Sequence, residues 1–431
     1  MLAENVETAP TAPTASAQKA SFFRQSGWLM IAGIVGGMLM WLVHFLSKKV
    51  GEAEYGTFVS YLSIAMVVPG MPLQMVFAHQ TAKALATNRE RELTGMIRMM
   101  WSGSLVLWMF GCIVVWVGQK GIMQAWGLAN ASGLWMTVGV VLFSLWLPML
   151  LGVLQGKQDF FWMGWSMMSN GMGRVTLAFV AVTLVSATAA SMMFGAVAGM
   201  AIATGIAAWF ARSLWRGPSS RFDWRNLLKE VIPPMLGFGA FQFLFTADTM
   251  FVKSYFSPDE VGFYGGAGTL SRALMWLVTP LAAVMFPKIV HSAAKAEKTD
   301  LMGIVMIGTA VLAILGAICL SIVGPIVVRM VYRPNWVQPV AAILPWYAGA
   351  MVPMALANVL LNNLLGRSDF RIVPPLCILA IGYAFALTRF HDSLITVLKT
   401  IGLAGIVLLI ISAWFTWGSK ARTLTPVQTT S

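Results

Sequence analysis

The chain has 431 residues, of which 58% are hydrophobic and only 10% charged, with a mean hydropathy of +0.76. A soluble domain keeps roughly 25% of its residues charged, so a water-soluble globule is excluded and most side chains must face lipid or other helices. The formal net charge of +13 calls for no nucleic acid, because Lys and Arg gather at the cytoplasmic ends of spans in ordinary membrane proteins.

Met1 to Ala20 is rich in Ala, Thr, Pro and Ser and poor in large apolar groups, which predicts a disordered cytoplasmic tail over 1–21. The first apolar run, Gly27 to Leu46, suits a spanning helix better than a shorter signal core. Apolar stretches of spanning length follow near 56–80, 97–118, 131–154, 160–186, 191–211, 231–253, 264–286, 301–324, 338–365, 371–388 and 394–417. The expected fold is therefore all-α, a polytopic membrane protein of about twelve transmembrane helices. The longest connection, 212–230, is basic and carries Trp215 and Trp224, the composition of a linker lying on the inner leaflet. No connection is large enough for an extramembrane catalytic domain, which argues against an enzyme. Cys112, Cys319 and Cys377 fall inside apolar spans without metal-ligand spacing, so neither a metal nor a cofactor is expected.

Orientation follows from the basic residues. With the N-terminus inside, the inner segments hold about nineteen Lys and Arg and the outer segments about eight, which places both termini in the cytoplasm. Such a protein belongs in the cytoplasmic (inner) membrane.

The linker divides the spans into an N-terminal bundle, 22–211, and a C-terminal bundle, 231–417, with a short cytoplasmic tail at 418–431. The two halves echo each other. Glu54-Tyr55-Gly56-Thr57-Phe58 after the first span is matched by Glu260-Val261-Gly262-Phe263-Tyr264 after the seventh. Gly156-Lys157-Gln158-Asp159-Phe160 after the fourth span is matched by Gly366-Arg367-Ser368-Asp369-Phe370 after the tenth. His79-Gln80-Thr81-Ala82-Lys83-Ala84 is matched by His291-Ser292-Ala293-Ala294-Lys295-Ala296. Six spans per half is an even number, so the two pseudo-symmetric six-helix bundles share one orientation, and a substrate site is expected at their interface.

At these residues the chain resembles the polysaccharide, O-antigen-flippase-like branch of the multidrug/oligosaccharidyl-lipid/polysaccharide (MOP) exporter superfamily. The stretch from Asp248 to Gly266, followed by Phe286-Pro287-Lys288, and the two repeated turns carry the likeness. The resemblance implies two bundles rocking about a central cavity by alternating access. It also implies a cargo of oligosaccharide joined through pyrophosphate to a polyprenyl lipid, whose tail stays among the membrane lipids. A polysaccharide polymerase or an export protein is a further partner in that setting. A multidrug extruder of the same superfamily is the alternative within transport, and a membrane glycosyltransferase or ligase the alternative outside it.

Ionisable residues inside spans are costly and therefore candidates for function. Arg174 lies near the middle of the fifth span, and its planar fork suits a pyrophosphate. Arg272 and Asp248 lie in the eighth and seventh spans; they are candidates for an ion pair, for substrate binding by Arg272, and for proton or sodium coupling at Asp248. His44 is a second coupling candidate, weighed against an ordinary interfacial histidine. Asn170, Asn358 and Asn362 are candidates for lining a polar cavity. Pro69, Pro72, Pro280 and Pro345 interrupt spans where a hinge is expected. Lys253 lies close enough to the surface to snorkel.

Overall fold

A computed structural model describes residues 15–275, 301–367 and 369–418. Among them the chain is helical throughout, with no strand. In chain order the long helices are α1 (Ala15–Leu42), α2 (Glu52–Met66), α3 (Gly70–Ala86), α4 (Glu90–Trp126), α5 (Ser132–Gly156), α6 (Phe160–Leu184) and α7 (Ala189–Phe210). The second half contributes α8 (Trp224–Tyr255), α9 (258–275), α10 (Leu301–Val331), α11 (Val337–Gly366), α12 (Val373–Arg389) and α13 (Leu394–Ala413). Among the described residues ten spans are long and apolar enough to cross a membrane, one of them made of α2 and α3 together. The protein is thus a multi-pass membrane protein. At 25 residues α6 is long enough as well, but it is not among those ten, because Ser166, Ser169, Asn170 and Arg174 dilute its apolar content.

Two boundaries differ from those expected. Helix begins at Ala15, inside the stretch read as a tail. Ala, Gln and Lys there have high helix propensity and no proline interrupts them. The linker is also shorter than 212–230, because α8 already starts at Trp224. What remains is fastened to α4. Arg98 donates from Nε to the Trp215 carbonyl at 2.8 Å and from Nη2 to that of Gly217 at 2.9 Å. The Thr94 hydroxyl donates to the Leu214 carbonyl at 3.0 Å. Pro280 and the His291 repeat lie outside the described residues.

Chain direction alternates, so two faces of the molecule can be named by what they carry. The linker face holds the linker and both Gly-basic-x-Asp-Phe connectors. The opposite face holds Glu52 and Trp336. The connectors share one backbone hydrogen bond. Asp159 N–H donates to the Leu154 carbonyl and Asp369 N–H to that of Leu364, both at 2.9 Å. Each aspartate then caps the next helical turn, Asp159 accepting from Trp162 N–H and Asp369 from Arg371 N–H. The caps differ in reach, to the third residue on from Asp159 and to the second from Asp369.

The second span is broken. α2 ends at Met66 and α3 begins at Gly70, with Pro69 extended between them at φ −81° and ψ 99°. Proline cannot donate its nitrogen and disfavours helix in the residue before it. The carbonyls left free are taken by α8: Gln242 Nε2 donates to Met66 O at 3.1 Å, and the Thr246 hydroxyl to Ser63 O at 3.4 Å.

The two halves touch most closely where the repeated glycines meet. A Cβ on Gly56 would lie 2.6 Å from the Gly262 nitrogen, and one on Gly262 would strike the Glu52 carbonyl. α2 and α9 therefore cross backbone to backbone, which only glycine allows.

Candidate functional site

Two arginines define the candidate site, Arg272 buried and Arg174 half-buried, and each is set by its own helix. Arg174 sits on α6, one turn after Asn170. α7 can approach this segment because Gly199 faces it; a side chain there would come within 2.6 Å of the Arg174 nitrogen. The guanidinium lies over the Phe58 ring at 5.9 Å. Its Nε and Nη2 are buried with no hydrogen-bond partner. Among the described residues no ion pair includes it. Asn170 shows the same deficit. Its Nδ2 faces the Met40 sulfur at 3.7 Å, while its Oδ1 is buried and unpartnered. Residues four apart lie on one helix face, so α6 presents an unsatisfied donor set and an unsatisfied acceptor about 6 Å apart along its axis. Buried polar groups are nearly always paired, so two unpartnered groups on one helix face make α6 the candidate.

Arg272 is the contrast. Its Nη2 donates to Asp248 Oδ1 at 2.7 Å and Oδ2 at 2.8 Å, and to the Thr249 hydroxyl at 3.0 Å, while Nε donates to the Phe245 carbonyl at 3.1 Å. Asp248 is 1% exposed and accepts two further bonds on Oδ2, from Tyr264 at 2.8 Å and Tyr347 at 2.6 Å. Every partner lies in the second half. The ion pair expected of these residues is thus formed.

A third cluster joins the halves. Tyr55 Oη lies 2.8 Å from His44 Nδ1, 3.0 Å from Tyr332 Oη and 3.2 Å from Thr269 Oγ1. Tyr332 stacks on Trp336 with centroids 4.8 Å apart, and the Trp336 indole donates to Glu52 at 2.7 Å. Asn335 donates to the same carboxylate at 2.8 Å, and Arg333 Nε donates to the Lys48 carbonyl at 3.0 Å. The bonds of Tyr55 to Tyr332 and Thr269, of Glu52 to Asn335 and Trp336, and of Arg333 to Lys48 run between the halves and hold the Glu52–Trp336 face shut.

The remaining candidates are scattered. Asn362 Nδ2 donates to the Asn358 carbonyl and side-chain oxygen on half-buried faces of α11. Pro69 and Pro72 flank the break in the second span, and Pro345 lies inside α11. His44 is buried in the turn after α1. Lys253 is buried against protein, at 8% exposure. At the linker face a cavity of about 300 Å³ opens between α3, α4 and the start of α8, lined by Gln80, Lys83, Arg89, Glu92 and Glu230 among others.

Sequence reasoning missed the tyrosines. The chain has only seven, and Tyr55, Tyr61, Tyr264, Tyr332, Tyr347 and Tyr383 are all buried. Scarce phenols inside apolar spans, two of them within the repeated turns, were the available signal, since a buried hydroxyl needs a partner.

Residues 22–293 match the protein family described as polysaccharide biosynthesis protein. No curated protein is similar enough in sequence to stand as a relative. Among solved structures the chain is similar to the lipid II flippase MurJ in an inward closed conformation, with a TM-score of 0.68 at 13% identity over 91% of this chain and 87% of that one. It is similar to a multidrug resistance MATE family transporter of the MOP superfamily in an inward-facing conformation, with a TM-score of 0.67 at 11% identity over 90% and 93%. An outward-facing MATE structure gives 0.53 at 12% identity over 93% and 94%.

Proposed function

The chain belongs to the polysaccharide biosynthesis protein family and has the fold of MOP superfamily transporters; on that premise we propose that it flips an anionic, lipid-linked saccharide across the cytoplasmic membrane by alternating access. The observation that carries this reading is the Arg174 guanidinium near mid-span, whose Nε and Nη2 are buried and unpartnered and which forms no ion pair among the described residues. A phosphate or pyrophosphate supplies both the countercharge and the paired acceptor oxygens that such a fork lacks. Asn170 Oδ1, one turn away, would accept from a hydroxyl or amide of the first sugar. With the Glu52–Trp336 face as the outer one, the structure stands closed outside, the state from which a cytoplasmic precursor is loaded.

A multidrug extruder with cationic cargo is the competing reading, and the fold accommodates it. Against it stands the buried acid Asp248, already engaged by Arg272, Tyr264 and Tyr347. Three of the four bonds Asp248 accepts fall on Oδ2 and one on Oδ1. The test is reconstitution in liposomes with a polyprenyl-pyrophosphate oligosaccharide in one arm and an organic cation in the other. Headgroup translocation that is lost in Arg174→Gln supports the reading. Cation extrusion that is indifferent to Arg174 ends it.

A further inference from the structure

We propose that Tyr55 is a positioning residue that couples occupancy of the Arg174 site to release of the closed Glu52–Trp336 face; the inference rests on the reading of Arg174 as a phosphate-binding group.

The case is one of valence and contact. A tyrosine hydroxyl has one donor hydrogen and two acceptor lone pairs, and Tyr55 Oη serves three partners at 2.8, 3.0 and 3.2 Å. It has no spare capacity. Two of those partners, Thr269 and Tyr332, belong to the other half, and the third, His44, belongs to its own. Thr269 already donates to the Gly265 carbonyl at 2.9 Å, and Tyr332 reaches the Gly266 carbonyl at 3.4 Å. The hub therefore cannot shift toward one half without giving up a bond to the other.

Arg174 reaches the hub through one ring. Its guanidinium lies over Phe58 at 5.9 Å, and Phe58 packs against Tyr55 at 6.2 Å and His44 at 6.0 Å between centroids. All three rings are buried. A pyrophosphate on Arg174 offers charge-assisted, paired hydrogen bonds, which outweigh a single cation–π contact. The guanidinium then turns from the ring toward the anion. Phe58 loses its cover, and the Tyr55 ring it braces is free to move.

The contacts beyond Tyr55 carry that motion to the interface. Tyr332 stacks on Trp336, and Trp336 holds Glu52. Gly56, the next residue in the chain, is the backbone crossing with Gly262. A displacement of Tyr55 thus acts on the tightest contact between the halves and on the bonds around it. An empty site keeps the face shut, and a loaded one loosens it.

The test uses the full-length protein in nanodiscs, with Cys112, Cys319 and Cys377 replaced by Ala and spin labels at Lys48 and Arg329, both exposed on the Glu52–Trp336 face. Inorganic pyrophosphate is the probe. Its binding is measured by calorimetry and the distance between labels by electron paramagnetic resonance. In the otherwise wild-type chain pyrophosphate binds and lengthens the distance. In Tyr55→Phe it still binds, and the ligand-dependent change is lost. Tyr332→Phe, which cuts the same link from the other half, gives the same uncoupling and serves if Tyr55→Phe folds poorly. A Tyr55→Phe protein that responds like wild type, or wild type that binds without any change in distance, overturns the coupling alone. Failure of wild type to bind, or equal binding by Arg174→Gln, overturns the reading of Arg174 and the coupling with it.

Discussion

Each half of the molecule places one arginine guanidinium within a span, and their surroundings differ. Arg272 in the second half meets a carboxylate, a hydroxyl and a carbonyl, and that carboxylate is further held by two tyrosines. Arg174 in the first half meets the face of Phe58, while Nε and Nη2 have nothing to bond. A charge whose countercharge is built in is part of the scaffold. A charge without one is costly to keep inside a span, which is why the proposed function gives Arg174 a phosphate as its partner. Pseudo-symmetric halves can therefore divide the labour, one keeping its ionic groups closed while the other offers its own.

The most severe way to break this comparison is to remove the built-in partner. Asp248→Asn leaves Arg272 buried and uncompensated, and losing one member of a buried pair costs about 3–5 kcal/mol. Thermal unfolding in detergent should show that loss, and Arg272→Gln should match it. The scaffold role fails if Asp248→Asn keeps wild-type stability while proton- or sodium-driven transport disappears; Asp248 is then a coupling site.

The opposite outcome is expected at Arg174. Arg174→Gln removes an unpaired charge and should leave thermal stability unchanged or raised. Pyrophosphate affinity should fall about ten- to a hundredfold, the worth of one charge-assisted bond at roughly 1.5–3 kcal/mol. Arg174→Lys should fall between, since an ammonium keeps the charge and loses the fork. Equal destabilisation by both arginine substitutions would erase the distinction between the halves.

A smaller effect tests where the halves meet. A methyl on Gly56 would lie 2.6 Å from backbone on α9, and overpacking of that kind costs about 1–3 kcal/mol. The cost falls only on the closed state if α2 and α9 separate on opening. Gly56→Ala should then lengthen the distance between labels at positions 48 and 329 with no ligand present. No change would mean that the crossing persists in both states.

Much of this was legible in the sequence. Span positions follow from apolar length, the break in the second span from Pro69 and Pro72, and the paired connectors from their repeated residues. Arg174 is conspicuous as a charge near the middle of an apolar run. The partners were not legible. Arg272 and Asp248 are 24 residues apart on different helices, and Tyr347 comes from a third helix, so no spacing rule brings them together. Gly56 and Gly262 could be matched as a repeat, yet that they touch depends on how the halves pack. Tyr55 reads as one more aromatic at a span end until its three partners are in place.

The smallest expected effect concerns the two connectors, where the halves are most alike. Asp159 and Asp369 each cap the next turn of the chain, and a cap of this type is worth about 1 kcal/mol. Their charge partners differ. Lys157 stands 3.8 Å from Asp159, whereas Arg371 grips Asp369 with Nε at 2.8 Å and Nη2 at 2.6 Å. Those hydrogen bonds, more than the nearby charge, hold the Asp369 carboxyl below its ordinary range. A carboxyl with a lowered folded-state pKa stabilises the protein above its unfolded pKa of about 3.9. That contribution disappears as pH falls through the folded-state value, once the group is protonated in both states. Asp369→Asn should therefore lower the melting temperature at pH 7 and lose most of that deficit in strong acid, where the wild-type side chain is itself neutral. Melting curves of both proteins across an acid series decide it. A deficit that stays constant with pH would mean that the carboxylate acts through shape and cap geometry, and that the Arg371 contact contributes nothing measurable.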